Sequence, residues 1–226
     1  TVLPADLASG VRALASRLGV TTFTVFHAAL AVVLSRLADT DDVLIGTAVA
    51  GREEPETAEL VGMFVNTVVL RTQHSASMTV AELVSDAHHT RTRALEHAGV
   101  PFEQVVDVLA PYRSRSHSPL VQVALSFLRD DISLLTSDDE FSWIDARPGA
   151  AKMDLEVSVT EGFSSDQSSF AVQFCYARDL FDHESIVDFA GNLNCVLEAM
   201  VQNSESPIAR IDLVGDDDLA RQGVAS

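Results

Sequence analysis

Seven histidines and two cysteines are the residues whose chemistry calls for attention first. His88 and His89 stand side by side in a stretch with helical spacing. Adjacent helical residues point about 100° apart, so the two rings cannot hold one metal ion together. Thr92 and Arg93 occupy the positions one turn on, where a further ligand would have to stand. The pair therefore reads as helix surface. His27 lies in an apolar helical stretch and reads as a core histidine with its hydrogen bonds met. His97, His117 and His183 fall at loop or cap positions. No Gly-x-Ser-x-Gly elbow and no Cys/His nucleophile arrangement is present. Cys175 and Cys195 sit in apolar surroundings without Cys-x-x-Cys spacing, which reads as two packed thiols in a reducing cytoplasm rather than a disulfide or a metal site. If the chain serves catalysis, its acid–base group is cryptic or lies off this chain.

Three segments are more specific than helices and strands require. In Ile45-Gly46-Thr47-Ala48-Val49-Ala50-Gly51-Arg52, a glycine interrupts a strand, where glycine costs stability and marks a bulge or a close backbone approach. In residues 61–71, an Asn66-Thr67 pair interrupts an apolar run, and a buried Asn needs hydrogen-bond partners. The third segment combines Val100-Pro101-Phe102-Glu103 with residues 112–120, which end in Ser118-Pro119-Leu120. Singly, each also reads as an ordinary turn or strand start.

The elements that must position these segments follow from periodicity. Pro4 starts an amphipathic helix with Leu7, Val11, Leu14 and Leu18 on one stripe and Gly19 at its end. Thr21 or Thr22 caps a second helix that is apolar around most of its surface. Residues 43–49 read as a strand buried on both faces, and residues 64–71 as a second buried strand. Residues 78–96 are helical, capped near Thr79, with Val80, Leu83, Val84, Ala87, Arg91 and Leu95 along one side. Pro101 opens a short helix over residues 102–109. Strands are expected at 120–127, 141–145, 153–160 and 169–176, the last two as a hairpin-like pair, before a final helix over 185–202 that Asp182 caps. This order predicts an α/β fold, a mixed β-sheet with helices packed against it, rather than a Rossmann fold. Neither Gly-x-Gly-x-x-Gly nor Gly-x-x-x-x-Gly-Lys-Ser/Thr occurs, so nothing is built to hold a nucleotide.

Composition limits the partners. The 226 residues are 47% hydrophobic, which excludes a disordered chain, a collagen-like repeat and a disulfide miniprotein. Fifteen Lys and Arg against thirty-three Asp and Glu give a net charge of −18. That charge disfavours nucleic acid and anionic membrane surfaces as partners. The longest nearly uncharged run, residues 20–35, is too short and too polar to span a bilayer. No signal peptide is expected before Leu3, and a chain that begins with Thr is expected to be a piece of something longer.

Taken together and in order, the segments resemble the condensation domain of nonribosomal peptide synthetases. That family's motifs read approximately GxPVAGR, GxFVNTxxxR, HxxVPFE and RxxSxxPLFQ. Here they stand as Gly46 to Arg52, Gly62 to Arg71, His97 to Glu103, and Arg113 or Arg115 through Pro119-Leu120-Val121-Gln122. Lys152-Met153-Asp154-Leu155 is similar to the family's KxDL strand start, and Asp179-Leu180-Phe181-Asp182 to its DLFD element. The catalytic HHxxxDG is missing, since His88-His89 lacks the Asp and Gly and follows the Asn-Thr segment instead of preceding it.

The resemblance implies that residues 1–213 are the C-terminal lobe of a two-lobed, chloramphenicol-acetyltransferase-like domain, with 214–226 an acidic linker start. It implies amide-bond formation between carrier-bound thioesters in a tunnel between the lobes. The partners would be the N-terminal lobe, upstream and downstream carrier proteins and neighbouring synthetase domains, all in the cytoplasm. No cofactor would bind directly; phosphopantetheine would arrive on the carriers. No catalytic residue and no metal site is expected on this chain. Asn66, Thr67, Phe64 and Met63 would line the tunnel, while Gly46, Arg52, Gly62, Arg71, Pro101, Phe102, Glu103, Pro119 and Asp154 would hold structure. A family member that has lost its chemistry and docks a tailoring enzyme is the alternative, which Ala48 and Val121, standing where Pro and Phe are usual, keep open. A stand-alone acyltransferase using acyl-CoA is a third reading. An apolar strip around residues 64–69 is expected to be uncovered, leading to self-association or to disorder within 133–151.

Overall fold

Leu7, Val11 and Leu14 form one buried stripe on α1 (Ala5–Leu18), and Gly19 closes the helix in a left-handed turn at φ 68°. Thr21 caps α2 (Thr22–Ala38) by accepting a hydrogen bond from the Thr24 amide at 3.3 Å. The computed structural model describes residues 1–52, 55–57, 59–109, 118–129, 151–162 and 169–213. Nearly every residue of α2 from Phe23 to Val33 is buried, so this helix is the centre of the core. Around it pack α1, α3 (Val80–Glu96) and α5 (His183–Gln202). A capping box of Thr79 and Glu82 opens α3, and Asp182 caps α5 through the Ser185 amide at 2.7 Å. The short α4 (Phe102–Leu109) follows Pro101.

Five strands form one mixed sheet in the order β2-β1-β3-β4-β5. They are β1 (Asp42–Val49), β2 (Asn66–Gln73), β3 (Val123–Arg129), β4 (Leu155–Glu161) and β5 (Phe170–Tyr176). β1 pairs antiparallel with β2, β3 runs parallel to both β1 and β4, and β4 closes antiparallel on β5. The alternation of a pleated strand sorts the residues into two faces. Val43, Ile45, Val68, Leu70, Leu125, Val157, Val159 and Val172 are buried on the face toward the helices. There Phe26, Phe127 and Phe170 meet edge-on or tilted, with ring centroids 5.3 to 6.2 Å apart. The opposite face carries small and hydroxylic residues, Gly46, Ala48, Thr67, Ala124, Ser126 and Ser158, with a Ser126–Ser158 hydrogen bond of 2.8 Å.

The expected α/β mixed sheet is borne out, with three corrections. β1 is not buried on both faces, since Leu44 and Ala48 are exposed on the side away from the helices. The stretch 64–71 is not a strand from its first residue; β2 begins at Asn66 and is an edge strand, with Met63 and Val65 exposed before it. Cys175 is an exposed thiol, because it shares the open face with Gln173; Cys195 is half-buried, and neither forms a disulfide. The expected strand 141–145, the residues 112–117 and 214–226, and all of 133–151 except its last residue lie outside the described residues. No single helix among the described residues is long and apolar enough to cross a membrane.

Candidate functional site

Gly46, Gly51, Arg52, Gly62, Phe64, Asn66, Thr67 and Val121 are brought together around the β1–β2 hairpin. Where β1 ends, Gly51 has φ 64°, and a Cβ there would stand 2.0 Å from the Phe64 carbonyl oxygen. Only glycine fits both conditions. Arg52 then turns its guanidinium into the loop. It donates to the carbonyls of Thr57, of Leu60 at 2.8 Å and of Gly62 at 3.1 Å, and it lies 4.4 Å from the centre of the Phe64 ring. Among its described residues this loop has a charged hub in its middle and, beside the exposed acids Glu56 and Glu59, apolar side chains on its rim. Met63 is 92% exposed, Val61 is fully exposed, and Leu60 and Val65 are also uncovered.

Asn66 begins β2 and uses its whole hydrogen-bonding capacity. Its side-chain amide donates to the carbonyls of Ala98 at 2.8 Å and Val100 at 2.7 Å. Its oxygen accepts from the amides of Thr67 at 2.9 Å and Phe102 at 3.1 Å. An Asn has two N–H donors and two acceptor lone pairs, so nothing is left over for a fifth partner. Asn66 thus ties the 98–102 segment, including the Pro101-Phe102 start of α4, to the sheet. Glu103 is exposed on the first turn of that helix. Asn66→Ala is expected to destabilise the chain by about 2 kcal/mol, at roughly 1 kcal/mol per net neutral hydrogen bond less what water recovers. Urea denaturation checks this, and an unchanged midpoint would contradict it.

Thr67 follows on the other face, where its methyl lies 3.7 Å from the position a Gly46 Cβ would take. The same position would be 3.2 Å from a Val121 methyl. Gly46, Thr67 and the fully buried Val121 therefore form one contact, which a side chain at residue 46 would crowd. Pro119 precedes Leu120, which adopts a left-handed φ of 65°, and Gln122 donates back to the Ser118 carbonyl at 2.9 Å. The Leu155 amide bonds the Gln122 carbonyl at 3.2 Å, and the Asp154 carbonyl accepts from Ala177 at 3.0 Å. Arg71 stands apart, at the far end of the hairpin. It is engaged in a two-pronged pair with Asp42 at 2.8 and 2.6 Å, and this hydrogen bonding draws the exposed Asp42 carboxyl below its ordinary pKa.

The histidines divide as their burial dictates. His27 is fully buried, as expected, and shares a 3.2 Å hydrogen bond from Nε2 with Thr72 Oγ1, but its hydrogen bonds are not all met, since its Nδ1 has no partner among the described residues. Burial, and secondarily the charge of Arg91, lowers its pKa to about 4. His88 and His89 lie on α3 with ring centroids 5.9 Å apart. No group of three or more metal-ligating side chains occurs among the described residues. Sequence reasoning missed the partners of Asn66, because backbone carbonyls carry no residue-type signal. It also passed over Thr47 and Arg91, although an arginine on the apolar stripe of a helix was a visible signal.

A mixed sheet with its helical layer on one face, and an outward-facing hairpin loop beside its edge strand, defines an α/β unit. The profile of the condensation domain matches residues 1–221, and the chain belongs to that family. It is 35% identical over 215 residues to malpinin synthetase of Mortierella alpina, covering 95% of this chain and 3% of that protein. It is 35% identical over 223 residues to isonitrile lipopeptide synthase of Mycobacterium tuberculosis, covering 96% of this chain and 9% of that protein. The chain thus spans only a small part of these relatives. Among solved structures, a four-domain nonribosomal peptide synthetase bound to AMP and glycine superimposes with a TM-score of 0.84 at 24% identity, over 96% of this chain and 18% of that one. The X-domain in its complex with OxyB from teicoplanin biosynthesis gives 0.80 at 26% identity, over 96% of this chain and 48% of that one.

Proposed function

We propose that this chain is the C-terminal lobe of a condensation domain that joins two carrier-bound substrates through an amide bond. In that reaction the acceptor amine attacks the donor thioester carbonyl. The C–N bond forms, the C–S bond breaks, and the amine proton leaves with the pantetheine thiol. Phosphopantetheine is supplied by the upstream and downstream carriers and is not held by this chain as a cofactor. The HHxxxDG group that positions or deprotonates the amine belongs to the N-terminal lobe, and the synthetase works in the cytoplasm. Within this lobe Thr67, on the open face of the sheet, is the tunnel-lining candidate. Asn66 is a positioning residue, because its hydrogen-bonding capacity is spent on the 98–102 segment and on Thr67.

The observation that carries this reading is the loop around Arg52. An arginine hub that presents Val61 and Met63 to the outside serves a second body that covers them. The N-terminal lobe is that body. Burying two such side chains stabilises an interface by roughly 3 kcal/mol. The double variant Val61→Asp with Met63→Asp is therefore expected to weaken binding of a separately expressed N-terminal lobe at least tenfold, with the melting temperature of this chain unchanged. Equal binding by the variant, measured by calorimetry, would contradict the assignment of this loop.

The likeness to the X-domain, which is in complex with OxyB, supports a second reading in which the domain docks another protein. The upstream sequence separates the two: an intact HHxxxDG supports condensation, and a degraded one supports docking.

A further inference from the structure

A cavity of about 250 Å³ opens between the N-terminus of α2, the second half of α3 and the helical face of β1 and β2. Its walls include Phe23, Thr47, Arg91, Leu95 and Phe127. At roughly 30 Å³ per water, it has room for about eight water-sized groups. Two of its polar groups are unspent. The Arg91 guanidinium has no carboxylate within ion-pair distance among the described residues, although the chain carries a net charge of −18. It lies 5.3 Å from the centre of the Phe23 ring. Thr47 is only 8% exposed. The strand register places its side chain with Ile45 and Val68 on the cavity side, and its hydroxyl has no hydrogen-bond partner among the described residues. The hydroxyl can therefore hydrogen-bond a ligand without giving up a protein partner. Among the described residues no acidic side chain lines the cavity, and the amide end of α2 adds to its positive potential. Thr21 and Thr22 add hydroxyls at the start of α2, and Phe23, Leu95 and Phe127 give the cavity an apolar side.

We propose that this cavity binds a compact carboxylate with an apolar body, the carboxylate held by Arg91 and Thr47 and the hydrocarbon packed among Phe23, Leu95 and Phe127. The guanidinium fork matches a carboxylate in two prongs. With one cation and an apolar side formed by Phe23, Leu95 and Phe127, the cavity suits a monoanion with a hydrocarbon part better than a phosphate, which lacks an apolar part and carries more charge. An acceptor ammonium would be repelled by Arg91, so this site is distinct from the amine position in the condensation reading. Arg91 also contributes, behind burial, to the lowered pKa of His27, as an unneutralised cation should.

The test is titration of the 226-residue chain with sodium hexanoate, followed by amide and Arg Nε resonances, beside hexanamide and inorganic phosphate. Saturable shifts at Thr22, Phe23, Thr47 and Arg91 are expected with hexanoate, with hexanamide and phosphate each at least tenfold weaker. Arg91→Gln is expected to weaken hexanoate at least tenfold, and Thr47→Val about threefold. Should Arg91→Gln not fold, Arg91→Lys keeps the charge, loses the fork, and is expected to bind severalfold more weakly. Absent saturation, equal binding of hexanamide or phosphate, or hexanoate affinity unchanged in the folded Arg91 variant would each overturn the proposal.

Discussion

Gly51→Ala is expected to collapse the loop around Arg52 and to cost about 3 kcal/mol. Placing a side chain at φ 64° carries a penalty of about 1–2 kcal/mol by itself. The added Cβ would also sit 2.0 Å from the Phe64 carbonyl oxygen, a distance no contact tolerates. Because both partners are backbone, the loop must shift. The Arg52 bonds to Leu60 and Gly62 then lose their geometry, for on the order of another 1–2 kcal/mol. The effect is local, so amide exchange of residues 59–65 should accelerate while that of α2 does not. In the complete domain the same variant should abolish amide formation. A Gly51→Ala chain with a wild-type urea midpoint and an undisturbed Phe64 environment would show that the loop does not depend on this turn.

Acid should remove a comparable amount of stability through one core histidine. His27 has an ordinary pKa of 6.5 when unfolded and about 4 in the fold, where burial dominates and Arg91 adds to it. Between these values the unfolded chain binds the proton and the folded chain does not. Stability is therefore complete above pH 6.5 and declines as pH falls toward 4. The integrated loss is about 3 kcal/mol, at 1.36 kcal/mol per pKa unit. His74 has a lowered pKa, chiefly from partial burial, and acts in the same direction, so the informative quantity is a difference. Urea midpoints of the wild type and of His27→Gln, which keeps a polar group near Thr72 but does not titrate, should diverge between pH 6.5 and 4.5. Parallel curves would contradict the assignment.

How far the sequence reached depended on the range of each interaction. The caps at Thr21, Thr79 and Asp182 were legible because a cap is settled within three or four residues. The α/β order was legible from periodicity, and the motif segments stood out because Gly46, Asn66 and Arg52 are costly in or beside apolar strands. The faces of the strands were not legible. Residues 64–71 read as one strand, yet Phe64 is captured by Arg52 and the Gly51 turn, so pairing starts only at Asn66. Nor could the role of Asn66 be read, since its partners Ala98 and Phe102 lie 32 and 36 residues along the chain. An Asn in an apolar strand announces a hydrogen-bonding need without saying who meets it. The same holds for Val121, whose seat against Gly46 crosses from one motif to another.

In the proposed function this chain is one wall of a condensation centre, and the acid–base group lies on another lobe. Donor and acceptor carrier proteins, each loaded with its thioester, can be incubated with the purified 226-residue chain and, separately, with the complete two-lobed domain, and the acceptor carrier analysed for the amide product. The product is expected with the complete domain and absent with the 226-residue chain. Multiple turnovers by the 226-residue chain alone would contradict that division of roles and require a catalytic group within these residues.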